Sequence, residues 1–445
     1  MGKLFGTDGV RGVANRELTP ELAYRLGRTG AYVLTNGKRK ARIVVGRDTR
    51  ISGQMLEKAL IAGMLSVGAD VYQVGIIPTP GIAYLTCNLQ VDAGVVISAS
   101  HNPVEDNGIK FFSADGYKLP DEVEEQIETL LAQTDSLPRP IGSEVGQLHP
   151  VADAVARYVD YLAGLTPVRF NGLRLVLDCA NGAAYQVAPE LWRRLGADVI
   201  PLFNEPNGFN INVECGSTCL ASLQKAVVRH KAHLGLAFDG DADRVLAVDE
   251  TGQPVDGDQI MCISALHLAA TGKLAQHTMV TTIMSNLGLE LALDKKGIKV
   301  VRTQVGDRYV LAKMQQLGAV LGGEQSGHII FLEHNTTGDG LVTGLKLVTI
   351  LQESGKSLSE LVAVMPQLPQ VQRSVRVNRK DAFATNAQVQ KAIKEAEASF
   401  TGVGRVVVRP SGTEPKVRVM VEGENEAELE EIAGRLLRII AEELG

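Results

Sequence analysis

Cysteine is scarce and scattered: Cys87, Cys179, Cys215, Cys219 and Cys262 are all there is in 445 residues. The one close pair, Cys215 and Cys219, has three residues between its members, and no second pair completes a zinc site. An odd, dispersed set fits reduced thiols and a cytoplasmic protein. Charge of one sign is also lacking. Lys and Arg number 45 against 51 Asp and Glu, a net charge of −6. No basic block points to nucleic acid and no basic amphipathic stretch points to a membrane surface. No apolar run is long enough to cross a bilayer. The opening Met1-Gly2-Lys3-Leu4-Phe5-Gly6 lacks a secretory apolar core, and Gly6 stands where a myristoylation signal wants Ser or Thr. A Gly-x-Ser-x-Gly nucleophile elbow is absent as well, so an esterase triad is not evident.

What is present is a weak threefold repeat. Arg42-Ile43-Val44-Val45-Gly46 reads as a strand. Ser52 is then expected to cap a helix that carries Leu56, Leu60 and Leu65, Gly68 ends it, and Ala69 to Val74 returns as a strand. The same grammar recurs from Leu173 to Ile200, turning at Gly196, and from Thr278 to Val301, turning at Gly297. Strands alternating with helices imply βαβ units and mostly parallel sheets. Each unit then adds another strand that runs into a polar loop. Ala93 to Ile97 leads to Ser98-Ala99-Ser100-His101-Asn102-Pro103. Leu234 to Phe238 leads to Asp239-Gly240-Asp241-Ala242-Asp243-Arg244. Ala319 to Gly322 leads to Gly323-Glu324-Gln325-Ser326-Gly327-His328. In open α/β sheets ligands bind beyond the strands' carboxyl ends. If the units pack around one cleft, the three loops face each other.

The chain length fits several cores rather than one. Expected breaks lie in the Pro- and Gly-rich stretch 134–150, near Thr251-Gly252-Gln253-Pro254, and at Pro366-Gln367-Leu368-Pro369. The expected domains are therefore 1–150, 151–252, 253–368 and 369–445. The last has a different texture: short strands at 371–377, 405–408 and 417–421, a helix near 385–398, and a final helix from Glu426 to Leu444. The fold class expected is α/β, with three related α/β domains of mixed, mostly parallel sheets around a central cleft and a C-terminal α+β domain.

Asp239, Asp241 and Asp243 alternate, and in extended backbone alternate residues point the same way. Three converging carboxylates repel unless a cation neutralises them, and hard oxygen donors suit Mg²⁺. A solvated acidic turn is the plain alternative. A calcium EF-hand fits poorly, because Val245-Leu246-Ala247-Val248 is apolar where that loop must be polar. Beside such a metal, Ser100 suits a phosphoryl carrier. Ser98, His101 and a purely structural turn remain open at this level. Glycines around Glu324-Gln325-Ser326 let backbone approach a ligand, and a carboxylate with a hydroxyl suits sugar hydroxyls. Arg409-Pro410-Ser411-Gly412-Thr413-Glu414-Pro415-Lys416-Val417-Arg418 combines guanidiniums, hydroxyls and glycine amides, a donor set for phosphate. Arg11 in Gly6–Gly12, Lys110 in Asn107-Gly108-Ile109-Lys110, and the Gly306-Asp307-Arg308 turn are further charged candidates.

These motifs, in this order along the whole chain, resemble those of the α-D-phosphohexomutase superfamily. Gln325 after Glu324 and the opening Phe5–Gly12 run resemble its bacterial amino-sugar branch; relatives acting on mannose or glucose phosphates more often carry Met there. The resemblance implies that Ser100 carries a phosphoryl group and that one Mg²⁺ is held by it with Asp239, Asp241 and Asp243. It implies sugar contacts from Glu324 and Ser326, with Arg244 and His328 also on the substrate. Arg409, Ser411, Gly412, Thr413 and Arg418 would hold the phosphate that is not reacting. The implied reaction is the interconversion of glucosamine 6-phosphate and glucosamine 1-phosphate through glucosamine 1,6-bisphosphate, feeding amino-sugar nucleotide and cell-wall synthesis. Proton transfer is left among His101, Lys110, Arg11 and His328. The expected partners are sugar phosphates, with an activating kinase and a homodimer left open. A phosphatase built on the Asp cluster and a non-catalytic sugar-phosphate sensor are the readings from other classes.

Overall fold

The computed structural model describes residues 4–6, 8–37, 40–133, 136–400, 402–411 and 414–445. Gly412 and Thr413, expected at the phosphate loop, lie outside them.

Strands β1 (Val10–Val13), β2 (Arg42–Arg47), β3 (Asp70–Ile76), β4 (Ala93–Ile97), β5 (Asp106–Ser113) and β6 (Leu148–Pro150) form the first sheet, in the order β1-β5-β4-β2-β3-β6. β7 (Arg174–Asp178), β8 (Asp198–Leu202), β9 (Leu234–Phe238), β10 (Val245–Asp249) and β11 (Pro254–Val255) form the second, in the order β11-β10-β9-β7-β8. β12 (Thr278–Thr282), β13 (Lys299–Thr303), β14 (Leu321–Gly323) and β15 (Ile329–Phe331) form the third, in the order β13-β12-β14-β15. The repeat is visible in the pairing. β2, β7 and β12 each lie between two parallel neighbours, and the later neighbour pairs antiparallel with the strand that follows it. The three polar loops are those parallel-to-antiparallel reversals: β4 to β5, β9 to β10 and β14 to β15. β4 and β9 are buried along their whole length, which is why they read as unbroken apolar runs.

Gly68, Gly196 and Gly297 all sit at positive φ (89°, 97° and 67°) just beyond their helices, as the repeat implied. Ser52 is not a cap. The helix Ile51–Leu65 starts after Arg50, with no side-chain cap, and Ser52 Oγ instead accepts from Asn107 Nδ2 at 2.9 Å. The Thr251-Gly252 stretch forms a hairpin turn, and β11 pairs antiparallel with β10, so the second sheet takes in Pro254–Val255.

The first three sheets share one continuous core. It runs from Val44 and Phe112 through Tyr158, Trp192 and Phe238 to Leu321, Leu345 and Val348. The remaining strands β16 (Gln370–Arg376), β17 (Gly404–Pro410) and β18 (Lys416–Gly423) form a separate antiparallel sheet, order β16-β18-β17. It packs under the helices Ala387–Ala398 and Glu426–Leu444 around its own core of Val371, Val419, Val421, Leu429, Leu436 and Ile440. That segment joins the third unit through polar groups. Glu422, fully buried, accepts from Leu287 N (2.8 Å), Gln370 Nε2 (3.0 Å) and Arg405 Nε (2.6 Å). Asn286 holds Leu368 at both its carbonyl and its amide. No helix among the described residues is long and apolar enough to cross a membrane.

Candidate active site

The Ser loop is fixed by a group the sequence reading passed over, Asp48-Thr49-Arg50, at the carboxyl tip of β2. Arg50 is completely buried and pairs with Asp48 at 2.9 Å. Its guanidinium donates to the carbonyls of Ser100 (2.9 Å), Asn102 (2.8 Å), Asp106 (3.1 Å) and Pro103. Asn212, from the second unit, donates to the Ser100 and Asn102 carbonyls from the other side. So tied, Ser100 takes a left-handed backbone (φ 51°), an uncommon and costly state for serine that its surroundings must hold. Gly240 passes so close that a Cβ there would lie 2.4 Å from the Ser100 carbonyl oxygen; only glycine fits.

The two serines divide. Ser98 Oγ donates to Asp48 (2.6 Å) and accepts from the Ser100 amide (3.0 Å), so it shapes the loop. Ser100 Oγ faces the other way, donating to Asp239 Oδ2 at 2.5 Å with His101 Nδ1 at 3.3 Å.

The Asp loop converges by a different route from the one expected. It is a tight turn, closed by Ala242 N on the Asp239 carbonyl with Ala242 at φ 57°, not an extended segment. Asp239, Asp241 and Asp243 are all buried, and one oxygen from each lies within 4.8 Å of the others. Asp241 Oδ1 and Asp243 Oδ1 have no hydrogen-bond partner. Buried carboxylate oxygens left unpaired are costly, and these belong to the carboxylates that converge with Asp239, the partner of the Ser100 hydroxyl. Burial, then repulsion from Asp243 and Asp241, pushes the Asp239 carboxyl well above its ordinary range. Burial also opposes charge on Asp243, but His328, Lys110 and Arg244 outweigh it and hold that carboxyl low. A hard divalent cation answers all of these features: three hard oxygen donors, two unpartnered atoms and mutual repulsion.

Lys110, Asp8, Lys118, Asp307 and His328 tie the three units around this centre. Lys110 Nζ lies 2.9 Å from both Asp241 and Asp8. Lys118 Nζ bridges Asp8 (2.6 Å) and Asp307 (2.5 Å). His328 stands between Asp243 (Nδ1, 3.5 Å) and Asp307 (Nε2, 3.6 Å), and its Nε2 receives the Gly338 amide at 3.2 Å. Burial opposes charge on both lysines, yet the surrounding carboxylates raise both above the ordinary lysine range. Arg11 pairs with Asp8, and Arg244 Nε lies 3.7 Å from Asp243. Thr79 donates to Asp241 at 2.7 Å. Asp8, Lys118 and Thr79 were not singled out from the sequence; charge alone could not separate them from solvated loop residues.

Glu324 and Ser326 sit on the β14–β15 loop, Glu324 accepting from Gly306 N at 3.1 Å and Ser326 exposed. Gln325 ties that loop to Asp256 (3.2 Å), the capping residue of the helix Gly257–Ala270. Arg409 and Arg418 are direct cross-strand partners on β17 and β18. Burial and then the neighbouring Arg418 lower Arg409, the mark of two cations with an anion's place between them. Ser411 is buried beside them, its hydroxyl accepting from Glu414 N at 3.3 Å. Among the described residues no hydrogen bond or ion pair joins Arg409, Ser411 or Arg418 to the Ser100–Asp239 cluster.

Four family models match the chain. They are the phosphoglucomutase/phosphomannomutase alpha/beta/alpha domains I (residues 2–138), II (156–252) and III (256–368), and the C-terminal domain (374–439). The phosphoglucosamine mutase of Desulforamulus reducens is 58% identical over 441 residues, covering 99% of each chain. That of Moorella thermoacetica is 59% identical over 440 residues, again covering 99% of each. Among solved structures, a phosphoglucomutase/phosphomannomutase family protein of Burkholderia thailandensis superposes with a TM-score of 0.82 at 26% identity, covering 98% of this chain and 97% of that one. The Aspergillus fumigatus N-acetylphosphoglucosamine mutase, solved with GlcNAc-6P and magnesium, shares the fold at a TM-score of 0.72 and 19% identity, covering 99% and 96%.

Proposed function

The chain belongs to the phosphoglucomutase/phosphomannomutase family, and from that premise we propose that it interconverts glucosamine 6-phosphate and glucosamine 1-phosphate, supplying amino-sugar nucleotide and cell-wall synthesis. The observation that carries the chemistry is Ser100 Oγ at 2.5 Å from Asp239, whose carboxylate converges with those of Asp241 and Asp243, each with an unpartnered oxygen. The choice of sugar rests on full-length similarity to phosphoglucosamine mutases.

Ser100 is the phosphoryl carrier in this reading. The Oγ–P bond of phosphoserine breaks as a bond forms to the C1 hydroxyl oxygen of glucosamine 6-phosphate. That hydroxyl gives up its proton, and the freed Ser100 Oγ takes one up. Glucosamine 1,6-bisphosphate turns round in the cleft, its O6–P bond breaks, and Ser100 takes the phosphoryl back while O6 gains a proton. Asp239, Asp241, Asp243 and the Ser100 phosphate would hold Mg²⁺, which supplies charge neutralisation at the transferring group. His101 is our candidate for proton transfer at Ser100, on its 3.3 Å approach to Oγ. Lys110 and Arg11, engaged by carboxylates, serve as fixed charges. His328 is placed between two Asp side chains, where it orients Asp243. Glu324, Ser326 and Arg244 take the sugar. Arg409, Ser411, Gly412, Thr413 and Arg418 take the distal phosphate. One such grip serves both orientations, because either end of the bisphosphate presents the same group. The domain divisions 1–150, 151–252, 253–368 and 369–445 belong to this reading.

The test is turnover of glucosamine 6-phosphate, glucose 6-phosphate and mannose 6-phosphate by wild type and Ser100→Ala, with Mg²⁺ and after chelation. Full activity in Ser100→Ala would end the carrier role. Preference for mannose or glucose would assign the chain to phosphomannomutase/phosphoglucomutase chemistry instead. Loading of Ser100 by a bisphosphorylated sugar, by autocatalysis or by an activating kinase is part of the proposal and is read by intact mass. A homodimer is read by light scattering.

A further inference from the structure

A cavity of about 360 Å³ is lined by none of the residues of the cleft. It lies between the helices Gly257–Ala270 and Gly340–Ser354, the chain after β15, and the segment Leu165–Pro167. The volume is in the range that holds a small metabolite. Part of its wall is apolar, from Leu165, Pro167, Phe331 and Ile350; the rest carries charge and hydroxyls.

Three independent features give the cavity its preference. First, Lys273 and Lys346 both line it, and neither has a carboxylate within ion-pair distance among the described residues. Second, the two acidic residues of the lining, Glu333 and Glu353, stand at its open side. Glu353 lies 3.6 Å from His267 with its side chain 46% exposed, and Glu333 is an exposed rim residue. Burial and then Lys273 lower Lys346, while Glu333 and Glu353 partly offset them. Third, Ser264 is buried to 1% exposure, lines the cavity, and its hydroxyl has no partner. A buried hydroxyl left unpaired in a helix normally turns back to bond its own turn, so this one is free to donate to a guest. Thr166 and Thr349, 3.3 Å apart, add further hydroxyls. The interior thus holds two ammoniums with no carboxylate within ion-pair distance among the described residues and with hydroxyl donors around them, the donor set of a phosphoryl dianion.

We propose that this cavity binds a phosphoryl dianion, free or as a small phosphate monoester, between Lys273, Lys346 and Ser264. Any ester group would lie on the Leu165, Pro167 and Phe331 wall. The site is separate from the Ser100 centre and does not depend on the mutase reading.

His334 is a built-in reporter. It lines the same cavity, and burial, then Lys346 and Lys273, press its imidazole down to about 4. An anion between those lysines removes the repulsion, so His334 titrates at higher pH. The experiment follows histidine side chains by NMR while inorganic phosphate or phenyl phosphate is added to the full chain, with His101 and His328 reporting the catalytic cleft separately. The expected result is a saturable upward shift of the His334 titration, weakened about tenfold in Lys346→Met and in the exposed Lys273→Met, which removes no buried packing. A larger response to phenyl phosphate places a monoester in the site; equal responses place free phosphate there. A His334 signal that does not move while the cleft histidines saturate overturns the proposal. So does a shift that survives unchanged in the Lys273→Met/Lys346→Met double variant. Neither outcome touches the assignment of Ser100.

Discussion

Around Ser100 nearly every charge is buried and met by another, whereas at Arg409 and Arg418 two guanidiniums face each other across a ladder with little to oppose them. Lys110 and Lys118 are each held by at least two carboxylates within 3 Å. Arg418 keeps 47% of its side chain exposed and, among the described residues, pairs only with Glu414, four residues back. The difference follows from how the two regions are packed. The first centre sits where three sheets of one continuous core bring their reversals together. The second belongs to a unit with its own core, attached through Glu422, Arg405 and Asn286. A centre that must hold a reactive phosphoryl group gains from pre-set geometry, because reorganisation is already done. A grip that must accept either end of a turning intermediate gains from adaptable, solvated cations.

That contrast can be broken first at its strongest point. Ser100→Ala should lower kcat by about 10³-fold or more, roughly 4 kcal/mol of barrier, measured under saturating Mg²⁺. Near-normal kcat would mean the wired centre is structural. Arg50→Met should destabilise the chain by about 3–5 kcal/mol, because Asp48 is left buried and unpaired, read from urea unfolding. A loss below about 1 kcal/mol would show that Asn212 alone can hold the Ser loop.

A third test bears on the seam between the two regions. Asp258 begins the helix whose neighbour Asn286 clamps Leu368, accepting the Asn286 amide at 2.7 Å. Burial, then the nearby Asp256, pushes its carboxyl from 3.8 up to about 7. Because the folded state holds this proton more tightly, stability is fully present below about 4 and is lost as pH rises through about 7. The span is roughly 4 kcal/mol. Asp258→Asn should flatten the dependence between pH 4 and 7 in thermal unfolding; an unchanged slope would place the titration elsewhere. The smallest effect is expected at the open end. Arg418→Ala should raise KM about tenfold, near 1.4 kcal/mol, with kcat little changed. If kcat instead falls as far as in Ser100→Ala, the distal grip is as tightly wired as the centre.

Much of this was legible in the chain. β4, β9 and β12 fall where their apolar runs lie, and the final helix spans Glu426 to Leu444 as its periodicity indicated. The three reversals were found because a buried strand that stops at polar residues marks a sheet's ligand-binding edge. The Asp48–Arg50 clamp escaped notice although it stands at the same kind of strand tip, because a single Arg in a loop reads as solvated. Lys118 escaped for a related reason: its partner Asp307 is 189 residues away, and nothing local says they meet.

The sequence by itself determined the repeat, the loop chemistry and the donor set for a cation, since these depend on residue type and spacing within short windows. The tertiary structure alone decided which serine faces the carboxylates. Ser98 and Ser100 are chemically equal and stand near each other. One is bonded to Asp48 and the other to Asp239 because Arg50 and Asn212, from distant parts of the chain, hold the Ser100 backbone in a left-handed turn. Only packing at long range supplies enough partners to keep that conformation.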